Sequence, residues 1–168
     1  MLKKWDELPE DMKTEEVREY YEILSHKKVS LVMKRIFDFV VACILLIFLA
    51  PIMLVLALII ALDSPGGVFY RQVRITQYGK EFRIHKFRTM VQNADKIGSQ
   101  VTVEDDARVT KVGKILRKYR LDELPQLIDI LQGNMSFVGT RPEVPKYVKA
   151  YSTESDRKSG SAGMPRPI

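Results

Sequence analysis

The 168-residue chain has one cysteine and two histidines. Cys43 alone closes no internal disulfide, which removes the small oxidised scaffolds from consideration. One Cys and two distant His (His26, His85) cannot build a structural zinc site. Nine glycines and eight prolines, with no period, exclude a collagen-like or low-complexity chain. There is no GxxxxGK[ST] loop, no GxGxxG fingerprint, no GxSxG elbow and no Cys–His pairing for a thiol nucleophile. The aromatics do not alternate with basic residues as a single-strand platform requires, and no helix-turn-helix signature is present, so no nucleic-acid partner is expected. No internal repeat occurs. The length suits one domain with a core of its own, with room for an appendage.

What is present is a charge-free run from Phe39 to Leu62. An amphipathic soluble helix interrupts such a run every third or fourth position. As a straight helix it would be about 36 Å long, enough for a hydrocarbon core of about 30 Å. It starts too late and runs too long for a cleaved leader. Pro51 falls near its centre, where proline removes one backbone hydrogen bond and bends the helix. Lys27, Lys28, Lys34 and Arg35 precede it; Arg71, Arg74, Lys80 and Arg83 follow it. The side richer in Lys and Arg stays cytoplasmic, and both sides are equally rich. The residues alone leave two geometries open: a re-entrant helix that turns back near Pro51, or a kinked spanning helix. Asp38, four residues after Lys34 and three after Arg35, reads as an interfacial charge neutralised by them.

Residues 1–35 balance their charges and contain a helical stretch, 11–28, with Val17, Tyr20, Tyr21 and Leu24 as its apolar stripe. It suits a membrane surface, a packed face or a solvated helix equally. Asp63-Ser-Pro-Gly-Gly67 ends the apolar run. The stretches 68–78 and 81–87 are β-branched and aromatic and read as a short hairpin. Residues 90–97, 112–120, 124–131 and 146–151 read as helices. The Ser/Gly/Pro-rich tail 152–168 is expected to be disordered. The chain's entire +6 surplus lies in residues 63–150, which therefore favour anions such as headgroups or nucleotides.

Asp122-Glu123, in RKYRLDELPQL, is the sharpest candidate for chemistry. Proline belongs in a helix's first turn, so Pro125 places the acidic pair at or just before a helix start. One reading is an N-cap. The other is a carboxylate nucleophile beside a second carboxylate able to hold Mg²⁺. Lys86 and Arg88, in KFRTM, would share one strand face and could grip a diphosphate, or form a basic strand edge. Arg141 stands on a loop stiffened by Gly139 and Pro142. Asp105, Arg108 and Thr110 make a fourth polar group.

These stretches together resemble the bacterial sugar transferases, small monotopic phosphoglycosyl transferases acting on polyprenol phosphate. The resemblance rests on KRIFDFVVACILLIFLAPIMLVLALII (34–60), FYRQVRITQYGKEFRIHKFRTM (69–90) and DDARVTKVGKILRKYRLDELPQLIDILQGNMSFVGTRPE (105–143). It implies an α+β, mostly helical fold: a re-entrant membrane helix broken at Pro51 plus a small cytoplasmic catalytic domain with a short β-hairpin. The corresponding divisions are 1–35, an interfacial helix; 36–62, the membrane helix; 63–151, the catalytic domain; and 152–168, the tail. Asp122 matches the nucleophile and Glu123 its acidic partner, associated with Mg²⁺. Lys86, Arg88, Arg117 and Arg141 match phosphate-binding positions. The implied reaction moves a sugar 1-phosphate from a UDP-sugar to undecaprenyl phosphate. It releases UMP by a ping-pong path through an aspartyl-phosphosugar, at the cytoplasmic face of the inner membrane. Such a step opens exopolysaccharide, lipopolysaccharide or capsule synthesis. No residue reads the sugar ring, and the oligomeric state stays open, a homodimer included.

Two positions depart from the family pattern. Thr140 stands where proline is common before Arg141, with little consequence expected. The family usually continues with a Pro-Gly segment where this sequence has RKSGSAGMPRPI. That ending motivates an alternative: a catalytically impaired, membrane-docked relative serving as a binding or partner module.

Overall fold

A computed structural model describes residues 2–94 and 106–148. It divides into two compact units, one made of Met1–Cys43, Val73–Arg83 and Ile130–Ile168, the other of Ile44–Gln72 and Ile84–Asp129. Two elements dominate the secondary structure: α2 (Lys28–Asp63) and an antiparallel hairpin of β1 (Phe69–Ile75) and β2 (Glu81–Phe87). The hairpin closes through a 3₁₀ turn in which Tyr78 and Gly79 take positive φ, 61° and 69°. Asn, Asp and Gly usually fill such positions.

Helix α2 is α-helical without interruption, and Pro51 lies inside it. From Phe39 to Leu62 its side chains are apolar all round and mostly uncovered; Ile47 and Phe48 are each 74% exposed. Leaving so many large apolar groups in water would forfeit about 1.5–3 kcal/mol apiece. A helix of this length and composition is a membrane-associated one.

In the first unit, α1 (Glu15–His26) buries Val17 and Leu24, together with Leu8 and Met12 from the segment before it. The expected stripe is corrected at Tyr20, which is half exposed, while Trp5 meets Tyr21 edge-on at 5.1 Å. Asp38 is more than an interfacial charge. It is buried and accepts hydrogen bonds from Lys34 Nζ and Phe137 N, each at 3.3 Å. Arg35 does not face it. Its guanidinium donates instead to the Ile130 and Leu131 carbonyls, at 2.6 and 2.8 Å. These belong to the C-terminal turn of a short helix, where last-turn carbonyls lack intrahelical donors. The loop 134–143 is pinned by Thr76 Oγ1 on Asn134 O (2.7 Å), Arg74 on Pro142 O (3.0 Å) and Ile75 N on Glu143 O (2.9 Å).

The second unit has a core of Ile60, Phe87 and Leu116, around which Met53, Leu56, Ala57, Val68, Val112, Leu121 and Leu124 pack. The C-terminal half of α2 therefore presents one narrow stripe to protein. Helix α3 (Lys111–Lys118) opens at Thr110, whose hydroxyl accepts from Gly113 N at 2.9 Å, a side-chain N-cap. A 3₁₀ turn, Leu121–Glu123, leads into α4 (Gln126–Leu131). A last short helix, α5, spans Pro145–Val148.

The helix expected over 90–97 is corrected at its start. Met90 forms an isolated antiparallel bridge with Val109, and the backbone turns at Gln92–Asn93. Residues 95–97, the end of the 146–151 helix, Asp105 and the tail 152–168 lie outside the described residues.

Candidate active site

The acidic pair sits where strand β2 and the α3–α4 connection meet, inside the second unit. Helix α3 ends at Lys118, and Arg120 then adopts a left-handed conformation, φ 55° and ψ 25°. A non-glycine residue there is uncommon and costs of order 1–3 kcal/mol, a form of strain that concentrates at functional sites. The chain reverses at once into the turn bearing Asp122 and Glu123. Pro125, fully buried, anchors the far side.

The N-cap reading of Asp122 is not what the geometry presents. The first helical amides go to carbonyls, Leu127 N to Leu124 O (3.2 Å) and Ile128 N to Pro125 O (3.1 Å). The Asp122 carboxylate is met by its own backbone amide. Burial pushes its pKa above the usual aspartate value; Lys86 and Arg117 pull it down, and Glu123 adds to the rise. The result is a carboxylate more basic than an exposed one, hence a better nucleophile when ionised.

Lys86, on β2, brings its ammonium to Glu123 Oε1 at 2.9 Å, both side chains largely buried. The two are 37 positions apart in sequence. Arg117 donates from Nε to Thr89 Oγ1 at 2.8 Å, which holds its guanidinium beside the end of the strand. Asp122, Glu123, Lys86 and Arg117 thus form one neighbourhood.

The remaining expected residues are placed differently. Arg88 is buried, and its guanidinium donates to Ser64 O (2.6 Å), Pro65 O (2.8 Å) and Ser64 Oγ (3.0 Å). It braces the chain leaving α2 rather than facing an open cleft. Arg141 is exposed on the pinned loop of the first unit. Pro51 lies within α2. In the fourth polar group, Asp106 and Arg108 bind each other at 2.6 and 2.9 Å, which holds the Asp106 carboxyl at about 2. Arg108 also reaches Ala94 O at 3.0 Å, while Thr110 is spent on the α3 cap. That group is a structural clasp.

Among the described residues no cluster of three His, Cys, Asp or Glu side chains could enclose a metal. Asp122 and Glu123 offer hard oxygen donors in adjacent positions. That fits Mg²⁺, which takes one or two carboxylates and completes its shell with waters and substrate phosphates.

The sequence reading missed one polar contact in this unit. His85 donates its backbone N–H to Asp129 Oδ2 and presents Nδ1 to Asp129 Oδ1, both at 2.8 Å. Asp129 is fully buried. Nothing local marks it, since a single Asp in a short amphipathic helix usually faces water.

Residues 29–165 match the bacterial sugar transferase family model, and the chain belongs to that family. Over 121 residues it is 44% identical to a UDP-N-acetylgalactosamine-undecaprenyl-phosphate N-acetylgalactosaminephosphotransferase of Aeromonas hydrophila, covering 72% of this chain and 29% of that protein. It is 44% identical over 124 residues to the UDP-glucose:undecaprenyl-phosphate glucose-1-phosphate transferase of Escherichia coli (strain K12), covering 73% and 26%. The exopolysaccharide production protein PSS of Rhizobium leguminosarum bv. phaseoli is 46% identical over 112 residues, covering 66% and 56%. The chain therefore spans between about a quarter and a little over half of these relatives' own lengths.

Proposed function

We propose that the protein transfers a sugar 1-phosphate from a UDP-sugar to undecaprenyl phosphate, with Asp122 as the nucleophile. The observation that carries this reading is the half-buried Asp122, made more basic by burial and set between Lys86 and Arg117 on a strained turn. Similarity to relatives named for this transfer supports the substrates.

An Asp122 oxygen attacks the β-phosphorus of the donor. A P–O bond to the carboxylate forms, and the bond from β-phosphorus to the bridging oxygen breaks. UMP leaves with that electron pair. A phosphate oxygen of the lipid then attacks the same phosphorus, releasing Asp122 and giving the diphosphate-linked sugar. One covalent species joins two half-reactions, so the kinetics are ping-pong. Lys86 and Arg117 supply positive charge where the phosphates gather, fixed in place before the substrate arrives. Glu123, with Asp122, would hold Mg²⁺, which supplies further charge neutralisation to the diphosphate.

In this reading the apolar segment is re-entrant: continuous α2 bends at Pro51 rather than breaking there, and both of its ends stay at the cytoplasmic face. Two features support that topology. Basic residues flank both ends of the run. The helix is also tied to other chain on both sides of Pro51: Arg35 and Asp38 to residues 130–137, and Met53, Leu56, Ala57 and Ile60 to the Phe87–Leu116 core. The acceptor's phosphate then lies at the level of the site.

The test uses the full chain in lipid nanodiscs with undecaprenyl phosphate, Mg²⁺ and a panel of UDP-sugars. UMP release by the wild type and none by Asp122→Asn is expected. Mass spectrometry of donor-treated protein without acceptor should find the phosphosugar adduct on Asp122. An adduct on another residue, or none, refutes the mechanism.

A further inference from the structure

We propose that Asp129 is a positioning residue for this site, locking strand β2 in the one register that sets Lys86 opposite Glu123; the inference deepens the reading above and rests on it. Asp129 is the most deeply buried charged side chain among the described residues, at 0% exposure. A buried carboxylate forfeits its hydration and is tolerated only where its oxygens are met by donors. Both are met here, and both donors come from one residue. Oδ2 takes the backbone N–H of His85 and Oδ1 takes ring Nδ1, each at 2.8 Å. A carboxylate only accepts, so the ring nitrogen facing it carries the hydrogen.

The neighbour of His85 on the strand is Lys86, bonded to Glu123 at 2.9 Å. Two consecutive strand residues are therefore gripped by the two ends of one short segment, 123–129. Pro125, fully buried, stiffens that segment in between. Asp122 hangs from its first end. A slip of one residue along β2 would turn every strand side chain to the opposite face. It would carry Lys86 away from Glu123 and strip Asp129 of both donors at once. A contact between apolar groups would tolerate such a slip far better, being non-directional.

The experiment compares full-length wild type, Asp129→Ala and Asp129→Asn in nanodiscs by UMP release and by amide hydrogen exchange. The asparagine keeps an acceptor for the His85 N–H and can still reach the ring through the other tautomer. For Asp129→Ala, kcat should fall more than about tenfold with the donor KM within about threefold, and Asp129→Asn should recover most of the loss. Exchange in Asp129→Ala should rise by at least about fivefold over 84–88 and 121–125 while 15–26 keeps its wild-type protection. An alanine variant with kcat within about twofold of wild type, or an asparagine variant no better than alanine, overturns the proposal. So does exchange that rises equally over 15–26, the mark of general loosening. If Asp129→Ala does not fold, His85→Ala removes the ring contact alone. It should lower kcat by at least about threefold at unchanged KM, and an unchanged kcat overturns the proposal. Should the wild type release no UMP from any donor, the transferase reading fails, and the exchange pattern still decides the register lock.

Discussion

Gly113→Ala offers a sharp check on how α3 is seated. In an ordinary helix interior the change is favourable by about 1 kcal/mol, because alanine loses less backbone freedom on folding. Here a Cβ on residue 113 would lie 2.7 Å from the Thr89 carbonyl carbon and 2.9 Å from its Cα, and closer still to its oxygen. All three are backbone atoms just beyond β2, so no side chain can swing aside. The strand's neighbour, Thr110 N, is itself bonded to Thr89 O at 3.1 Å, which ties the two elements together at this point. Overpacking of this kind costs typically about 1–3 kcal/mol, and the rigid opponent puts it at the upper end. The net expectation is a loss of about 1–2 kcal/mol, the opposite sign from the helix-propensity rule. Thermal or denaturant unfolding in detergent micelles measures it. The strain also pushes Arg117 off Thr89 Oγ1, so UMP release should fall. A midpoint equal to or above that of wild type would refute the close seating of α3 on the strand.

Three further outcomes follow from the contacts. Arg88→Lys should destabilise the protein by about 1.5–3 kcal/mol, because an ammonium cannot replace the fork that meets the Ser64 and Pro65 carbonyls; denaturant midpoints read this. Arg35→Leu should cost a similar amount and release the end of α4, seen as faster amide exchange over 130–134, since two carbonyls lose their donors. Asp106 has a folded pKa of about 2, below its unfolded value, so the stability it adds is present above about pH 4 and disappears as pH falls through about 2; Asp106→Asn should flatten that part of the acid-unfolding curve.

Much of the architecture was legible because it follows from local chemistry. The apolar run announced α2, alternating β-branched and aromatic residues announced the hairpin, and Pro125 placed the acidic pair just ahead of a helix. The misreadings share one physical origin. At Arg88 the sequence shows the charge but not the two carbonyls beyond α2 that its guanidinium meets. Asp38 looked like a surface charge because its partner, the Phe137 amide, is 99 positions away. Asp129 was invisible for the same reason, its donors lying 44 positions upstream. Helix and strand periods report which face is apolar; they carry no information about which distant backbone group needs a partner.

The same long-range wiring governs how Asp122 titrates, and this yields the most discriminating pH experiment. Burial, the largest influence, favours the neutral acid and raises its pKa; Lys86 and Arg117 oppose it, and Glu123 reinforces it. Only the ionised carboxylate attacks phosphorus. The first half-reaction should therefore lose rate on the acidic side at a higher pH than an ordinary aspartate would impose. Lys86→Met removes the strongest opposing charge and should move that limb further toward alkaline pH. Glu123→Gln removes the reinforcing charge and should move it toward acid. Both substitutions lower the maximal rate, so the readout is the position of the limb and not its height, measured as the rate constant of the UMP burst against pH without acceptor. If the two variants shift the limb in the same direction, or leave it where the wild type has it, the group that titrates is not Asp122 and the electrostatic reasoning about this turn is wrong.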